Sequence, residues 1–436
     1  MATTRPGADR PGTDRPGTVR LRADACPGVL ATHDAADGPL ARIRLPGGGV
    51  SSAQARAIAI CAEELGDGRV HLTSRANLQL RAIRDVDALV GRLAGAGLLP
   101  SPGHERIRNI LGSPLSGLAP AGGPEADEPG MDEPGMDEPG GAAAGTGTAA
   151  GSGPPARLAD IRPLVRELDA GLRAAPELTG LPGRFLFALD DGSGDVAAGA
   201  DLCWRATAAG TGAVLVAGAD TGLRVPASRA AGAMVAGARA FDEVRGAAWR
   251  LREIDPSPVV EALGTYASAH ADPAPQRFAS PVRVGPVPGT GAVVAAPRFG
   301  ELAATTLHRL AARELAGGED DTVLTVTPWR TVVVHDTSPE QLAGSPDLVA
   351  DPGDRLLGVS ACIGAPRCAK SHADVRADAL ALAPDGVDAH FAGCSRRCGR
   401  PGGSHIDVVA AEGGYHVGGT FVGLDRVAEA LSAQRR

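Results

Sequence analysis

The chain has 436 residues, a net charge of -8, 60 glycines, 35 prolines and a hydrophobic fraction of 43%. That length exceeds one ordinary hydrophobic core and requires two or three domains. The acidic balance excludes a general nucleic-acid or membrane-surface binder, which carries positive excess to meet phosphates, and no run approaches the ~20 apolar residues of a membrane helix.

With no apolar signal-peptide core at its amino terminus, the sequence reads as cytoplasmic. Seven cysteines in such a chain point to metal binding or burial rather than to a disulfide framework. Arg5 to Thr18 repeats RPG-x-D, too poor in apolar residues to offset the entropy of folding, so residues 1–19 read as a disordered tail. A first compact unit is expected over 20–92. In it Ala41, Ile43 and Leu45 alternate as in a strand, and VSSAQARAIAICAEELG follows a glycine turn. Ser51 with Gln54 has capping-box spacing, Ile58, Cys61, Ala62 and Leu65 share one helical face, and Gly66 ends the helix. Strands are expected at Val70–Thr73 and Leu78–Leu80.

An α+β lobe is expected over 93–270, with strands at Phe185–Leu189 and Ala213–Val216 and a helix over Ala227–Phe241. It is interrupted near 120–156 by DEPGMDEPGMDEPGG and an Ala/Gly/Thr stretch, which read as an acidic flexible insertion. A second copy of the first unit is expected over 281–345. Its parts are a strand at Ala292–Ala295, a helix carrying Leu307, Leu310, Ala311 and Leu315, and TVLTVTPWRTVVV from Thr322. Thr73 with Arg75 in one copy and Thr327 with Arg330 in the other are read as equivalent. A last lobe covers 350–436.

That lobe holds Cys362 and Cys368, separated by five residues, and Cys394 and Cys398, separated by three. Two close thiol pairs can supply the four soft anionic ligands of a 4Fe-4S cubane. Structural zinc and unrelated buried thiols remain alternatives on spacing alone, although zinc pairs usually have two to four intervening residues, which fits only the second pair. Cys61 and Cys203 read as packing residues, and Cys26 is unassigned.

The C-x5-C and C-x3-C pairs resemble the cluster signature of the sirohaem sulfite and nitrite reductase superfamily. HLTSRANLQLR (His71 to Arg81), RIRNILGSP (Arg106 to Pro114) and LPGRF (Leu181 to Phe185) resemble its Thr-x-Arg-x-x-x-Gln, Arg-Asn and Leu-Pro-x-Lys-Phe segments, in the same order. The resemblance implies an α+β fold of two ferredoxin-like half-domains and two α+β lobes, the last carrying the 4Fe-4S cluster. Within the superfamily, ACPGVL, LTSRANLQLR, LPGRFLFALDDG and GAPRC most resemble the precorrin-3B synthase family. The reductases carry a second lysine two residues after the first, where this chain has Leu186. The arginines of SRRCGRP and the acidic insertion depart from the synthase pattern.

The resemblance implies an oxygen-dependent oxidoreductase of monooxygenase type, acting in cobalamin biosynthesis, that hydroxylates the tetrapyrrole precorrin-3A and forms its lactone. It also implies a mononuclear non-haem iron beside the cluster, molecular oxygen as co-substrate, and a reduced nicotinamide or ferredoxin system as electron donor. Arginine suits a polycarboxylate because its planar fork gives carboxylate two parallel hydrogen bonds. The motif positions nominate Arg75, Arg108 and Arg184 first, then Arg81 and Arg330, with Asn77 and Gln79 alternating with Arg75 along one strand. The ten histidines show no obvious two-histidine, one-carboxylate spacing, and His372 and His390 flank the cysteine pairs. The competing reading is a sirohaem-dependent sulfite or nitrite reductase, with Cys398 bridging cluster and sirohaem. A non-catalytic electron carrier or iron sensor is a third, with no DNA-reading motif to support it.

Overall fold

The computed structural model describes residues 26–118, 157–276, 278, 281–313 and 321–434. The low-complexity stretches at 1–19 and 120–156, and Leu315, lie outside the described residues.

In the first half-domain β1 (His33–Ala35) and β2 (Gly38–Ile43) form a hairpin, followed by β3 (Gly49–Ser51), α1 (Ser52–Leu65), β4 (Arg69–Leu72), β5 (Leu78–Leu80) and α2 (Val86–Gly95). The start of α1 is fixed by a reciprocal capping box: the Gln54 backbone N–H donates to Ser51 Oγ at 3.2 Å, and the Ser51 N–H donates to Gln54 Oε1 at 3.1 Å. Ile58, Cys61, Ala62 and Leu65 are buried along one face and Gly66 caps the end. Cys203, in the next lobe, is also buried, so both cysteines are packing residues.

The first lobe contains β6 (Ile110–Gly112), α3 (Arg162–Arg173), β7 (Phe187–Asp190), β8 (Leu202–Ala208), β9 (Thr211–Val216), β10 (Ala219–Pro226), α4 (Ala227–Val244), α5 (Ser257–Gly264) and β11 (Ala269–His270). Its sheet runs β11-β10-β9-β8-β7-β6, with β6, β7 and β8 parallel and the remainder antiparallel.

The second half-domain repeats the first: β12 (Gly285–Pro286), β13 (Val293–Pro297), β14 (Glu301–Ala303), α6 (Ala304–Ala311), β15 (Thr322–Val326) and β16 (Val332–Val334), followed by α7 (Pro339–Leu342) and β17 (Leu348–Val349). The two halves exchange strands. β14 pairs with β4 to complete the first sheet, β1-β2-β5-β4-β14, and β3 pairs with β15 to complete the second, β12-β13-β16-β15-β3. α1 and α6 pack together beneath both sheets, and Ala41, Ile43, Leu78, Leu80, Val293, Ala295, Val332 and Val334 join their apolar faces in one core. Each fully buried Val, Leu or Ile there contributes about 1.5–3 kcal/mol. Close approach of the halves requires Gly48, whose φ is +81° and where a Cβ would collide with the Val326 carbonyl.

The turns between paired strands correct one equivalence. Thr73 Oγ1 accepts from the N–H of Arg75 and of Asn77, and Thr327 Oγ1 accepts from the N–H of Trp329 and of Thr331. Ala76 and Arg330 hold the positive φ, 53° and 59°. Arg75 therefore corresponds to Trp329, not to Arg330.

The last lobe has β18 (Val359–Ala361), α8 (Val375–Leu382), β19 (Ala389–Ala392), β20 (Ile406–Ala411), β21 (Gly414–Val417), β22 (Thr420–Gly423) and α9 (Val427–Ala433). β18, β19 and β20 are parallel and β21 and β22 antiparallel, the same plan as β6 to β10 of the first lobe.

Candidate functional site

Because side chains alternate across a strand, the first sheet has one apolar face on the core and one open face. The ladder pairs Arg42 with Gln79, Gln79 with His71 and His71 with Glu301, so these four form one row across β2, β5, β4 and β14 on the open face. The corresponding row of the second sheet is Val294, Val333, Thr325 and Gly49. The two rows share a backbone plan, yet only the first is charged. The fold therefore does not require that charge.

Several guanidiniums gather where this face meets the first lobe. Arg75 donates from Nη1 to the Gly183 carbonyl at 3.2 Å and has no carboxylate within ion-pair reach among the described residues. Burial, and Arg250 nearby, lower its pKa to about 10. Arg184, in LPGRF, is exposed and lies over the Trp249 ring at 4.7 Å. Arg44 is a cation that the motif reading passed over. It is 3% exposed, burial and Arg42 lower its pKa to about 9, and its Nε and Nη1 have no hydrogen-bond partner among the described residues. Its Nη2 donates to the Pro27 carbonyl at 3.3 Å. The signal was present in RIRLPGG: if Ala41, Ile43 and Leu45 face the core, Arg42 and Arg44 face away from it. Cys26 is close enough to interact electrostatically with both Arg44 and Arg75.

Other nominated residues are committed within the protein. Arg108 Nε donates to Asp169 of α3 at 2.5 Å inside the first lobe. Arg81 donates from Nε and Nη2 to Asp37 at 2.5 and 2.6 Å. Asn77 is a buried strut: the Leu45 N–H donates to its Oδ1 at 2.9 Å, and its Nδ2 donates to Asn109 Oδ1 at 3.2 Å. Gln79, with its amide oriented to match its neighbours, accepts from Arg42. Arg330 lies in the second half-domain, where its Nη1 reaches the Gly399 carbonyl at 3.5 Å; burial lowers its pKa and it has no acidic partner among the described residues. It lines a cavity of about 930 Å³ with Ser74, Phe299, Trp329, Arg298 and Arg400, between the second half-domain and the last lobe.

The four lobe cysteines are unpaired thiols on two loops, Cys362 and Cys368 after β18 and Cys394 and Cys398 after β19. The Gly393 N–H donates to Cys362 Sγ at 3.1 Å, while burial and the neighbouring Cys398 and Cys368 raise the Cys362 pKa. A Cβ at Gly393 would overlap Ser371. Four thiols with a backbone donor to sulfur fit a cubane, whose ligands bind separate irons and need not converge on a point.

The first lobe repeats this arrangement in oxygen. Ser113 follows β6 as Cys362 follows β18, and the Asp191 N–H donates to Ser113 Oγ at 3.1 Å, as Gly393 does to Cys362. Asp190 ends β7, and Asp191 and Asp195 occupy the loop after it. Burial, with Asp190 and Asp191 nearby, raises the Asp195 pKa to about 7 although Ser113 donates to it at 2.7 Å.

His390 is buried on β19, its Nδ1 2.9 Å from Ser360 Oγ and its Nε2 without a partner among the described residues. Burial and His405 lower its pKa to about 4. Its ring lies 6.3 Å from that of His405, which is 3.3 Å from Asp407. Asp407 is also held by Arg400 and Arg397, and no three His, Cys, Asp or Glu side chains among the described residues are grouped to hold a single ion. His372 is exposed. No helix among the described residues is long and apolar enough to cross a membrane.

Residues 33–96 match the nitrite/sulfite reductase ferredoxin-like half domain. The chain is similar to the precorrin-3B synthase of Sinorhizobium sp, 27% identical over 429 residues, covering 91% of this chain and 82% of that protein. The ferredoxin–nitrite reductase of Leptolyngbya laminosa is 42% identical over 81 residues, 18% of this chain and 16% of that one. Among solved structures, the NirA protein of Mycobacterium tuberculosis superposes with a TM-score of 0.62 at 19% identity, covering 90% of this chain and 79% of that one.

Proposed function

From a chain that has the α+β fold of the nitrite/sulfite reductases and resembles precorrin-3B synthase along most of its length, we infer an oxygen-dependent precorrin-3B synthase. It hydroxylates precorrin-3A and closes its lactone, with molecular oxygen as co-substrate. Cys362, Cys368, Cys394 and Cys398 hold a 4Fe-4S cluster, which supplies one-electron transfer from a reduced nicotinamide or ferredoxin system. A separate mononuclear iron has no ligand set assigned.

The observation that carries this reading is the set of guanidiniums lacking carboxylate partners among the described residues: Arg44, Arg75, Arg184 and Arg330. For Arg44, Arg75 and Arg330, whose pKa values burial lowers, the lack of a counter-ion is costly, and a ligand carboxylate offsets that cost through paired hydrogen bonds; the exposed Arg184 adds a further fork at the rim. Arg184 clamps the substrate from the first lobe, Arg75 from the β4–β5 turn of the first half-domain, Arg44 from just past the end of β2, and Arg330 from beside the Cys398 loop. Arg42 and Gln79, bonded to each other, brace the sheet behind them. Trp249 orients the Arg184 fork by stacking. Arg108, Arg81 and Asn77 support the walls.

The reductase reading is disfavoured at Leu186. The position of the reductases' second lysine is filled by a side chain 7% exposed and packed in the hydrophobic core, while its N–H donates to Asp201. No cation can project from there toward a small anion.

The test is the absorption spectrum of protein purified without air, followed by an assay with precorrin-3A and oxygen. Cluster absorption without sirohaem bands, and oxygen-dependent consumption of precorrin-3A, are expected. Strong sirohaem bands with sulfite or nitrite reduction would replace this reading. Cys362→Ser is expected to lose iron, sulfide and turnover together.

A further inference from the structure

We propose that Glu301 is a positioning residue that ties both ends of the Cys362–Cys368 loop to the charged sheet face and, with Arg367, sets the electrostatic environment of the cluster. The inference rests on the cluster reading above.

Glu301 is contributed by β14, the strand the second half-domain lends to the first sheet. It is 4% exposed and receives four cationic or histidine side chains: Arg69 at 3.1 Å, His71 Nδ1 at 3.2 Å, Arg367 at 3.1 Å, and Arg376. Arg367 stands between the two cysteines of the first pair, next to Cys368, and its other nitrogen reaches Asp67 at 3.3 Å. Arg376 comes from α8 and donates from Nε to the Cys362 carbonyl at 2.9 Å. One carboxylate thus holds the Cys368 end through Arg367 and the Cys362 end through Arg376. Burial alone would raise its pKa, but Arg376, His71 and Arg367 outweigh burial and lower it, so Glu301 stays ionised.

The internal duplication argues that this tie serves the loop rather than the sheet. The position corresponding to Glu301 in the second sheet is Gly49, and that sheet forms with an uncharged row. Strand exchange is satisfied without a carboxylate. What the first sheet has in addition is a lobe with a thiol-bearing loop docked on it through Arg367 and Arg376.

A cluster gains negative charge on reduction, so a nearby cation favours the reduced state and a nearby anion opposes it. Arg367→Gln therefore lowers the midpoint potential and Glu301→Gln raises it, each with iron and sulfide content kept. A purely structural role would not give shifts of opposite sign. The experiment is a potentiometric titration, followed by the electron paramagnetic resonance of the reduced cluster, on the wild-type holoprotein and the two variants purified without air. Opposite shifts at wild-type cluster content support the proposal; unchanged potentials or shifts of one sign overturn it. Arg367, with a side chain 29% exposed, can be replaced without leaving Glu301 unpaired. Should Glu301→Gln fail to fold, Arg367→Gln decides alone, a lowered potential supporting the proposal and an unchanged one overturning it. Absence of iron and sulfide in the wild-type protein would instead remove the cluster reading itself.

Discussion

Replacing Arg44 by Met separates binding from folding. Burial lowers the guanidinium well below its ordinary range, to about 9 in the folded protein. At pH 7, below both values, the group is charged in both states, so the folded state carries the full cost. At about 1.4 kcal/mol per unit, the shift corresponds to roughly 5 kcal/mol as an upper bound. Met fills much of the volume without a charge and gives up the bond from Nη2 to Pro27, worth about 1 kcal/mol. The ligand-free variant should then be more stable than wild type by about 2–4 kcal/mol, with a higher thermal midpoint. Its affinity for a tetrapyrrole polycarboxylate should fall roughly 10- to 100-fold, the loss expected for a charge-assisted hydrogen bond. Thermal unfolding at pH 7 with and without uroporphyrin as probe, together with equilibrium titration of its absorbance, measures both. A variant that is less stable than wild type and binds uroporphyrin equally well would refute the reasoning.

Asp195→Asn tests the oxygen counterpart of the cysteine loop. A carboxyl raised to about 7 when folded, from 3.8, is most favourable while protonated, so the folded state loses stability as pH rises between about 4 and 7, a loss of at most about 4 kcal/mol above that window. The variant should match wild type near pH 3.5 and exceed its stability at pH 8 in denaturant unfolding; equal stability at pH 8 would count against the buried charge. Asn77→Ala removes the acceptor for Leu45 and the donor to Asn109, and should cost about 1–3 kcal/mol in unfolding free energy. Its KM for precorrin-3A should stay near that of wild type, whereas a direct substrate contact would raise it.

Parts of this protein that depend on neighbours within a turn were legible from the sequence. Ser51 and Gln54 fix the start of α1, its apolar spacing predicts the buried faces of Ile58 and Cys61, and the recurrence of strand, helix and strand predicts two half-domains. The loop cysteines were legible as a set because their spacing is a property of the chain. The alternation that buries Ala41 and Ile43 also places Arg42 and Arg44 on the other face, outside any of the family's motifs.

Which arginine remains available to a ligand was decided only by tertiary structure. Arg108 meets Asp169, Arg81 meets Asp37, and Arg75 meets only a carbonyl among the described residues, and nothing near these arginines in the sequence distinguishes them. Strand exchange likewise brings Glu301 beside His71 and the loop after Cys362, contacts between segments far apart in the chain. Capping and periodicity act over a few residues and are written locally, whereas a charge is neutralised by whatever the folded chain brings within a few ångströms.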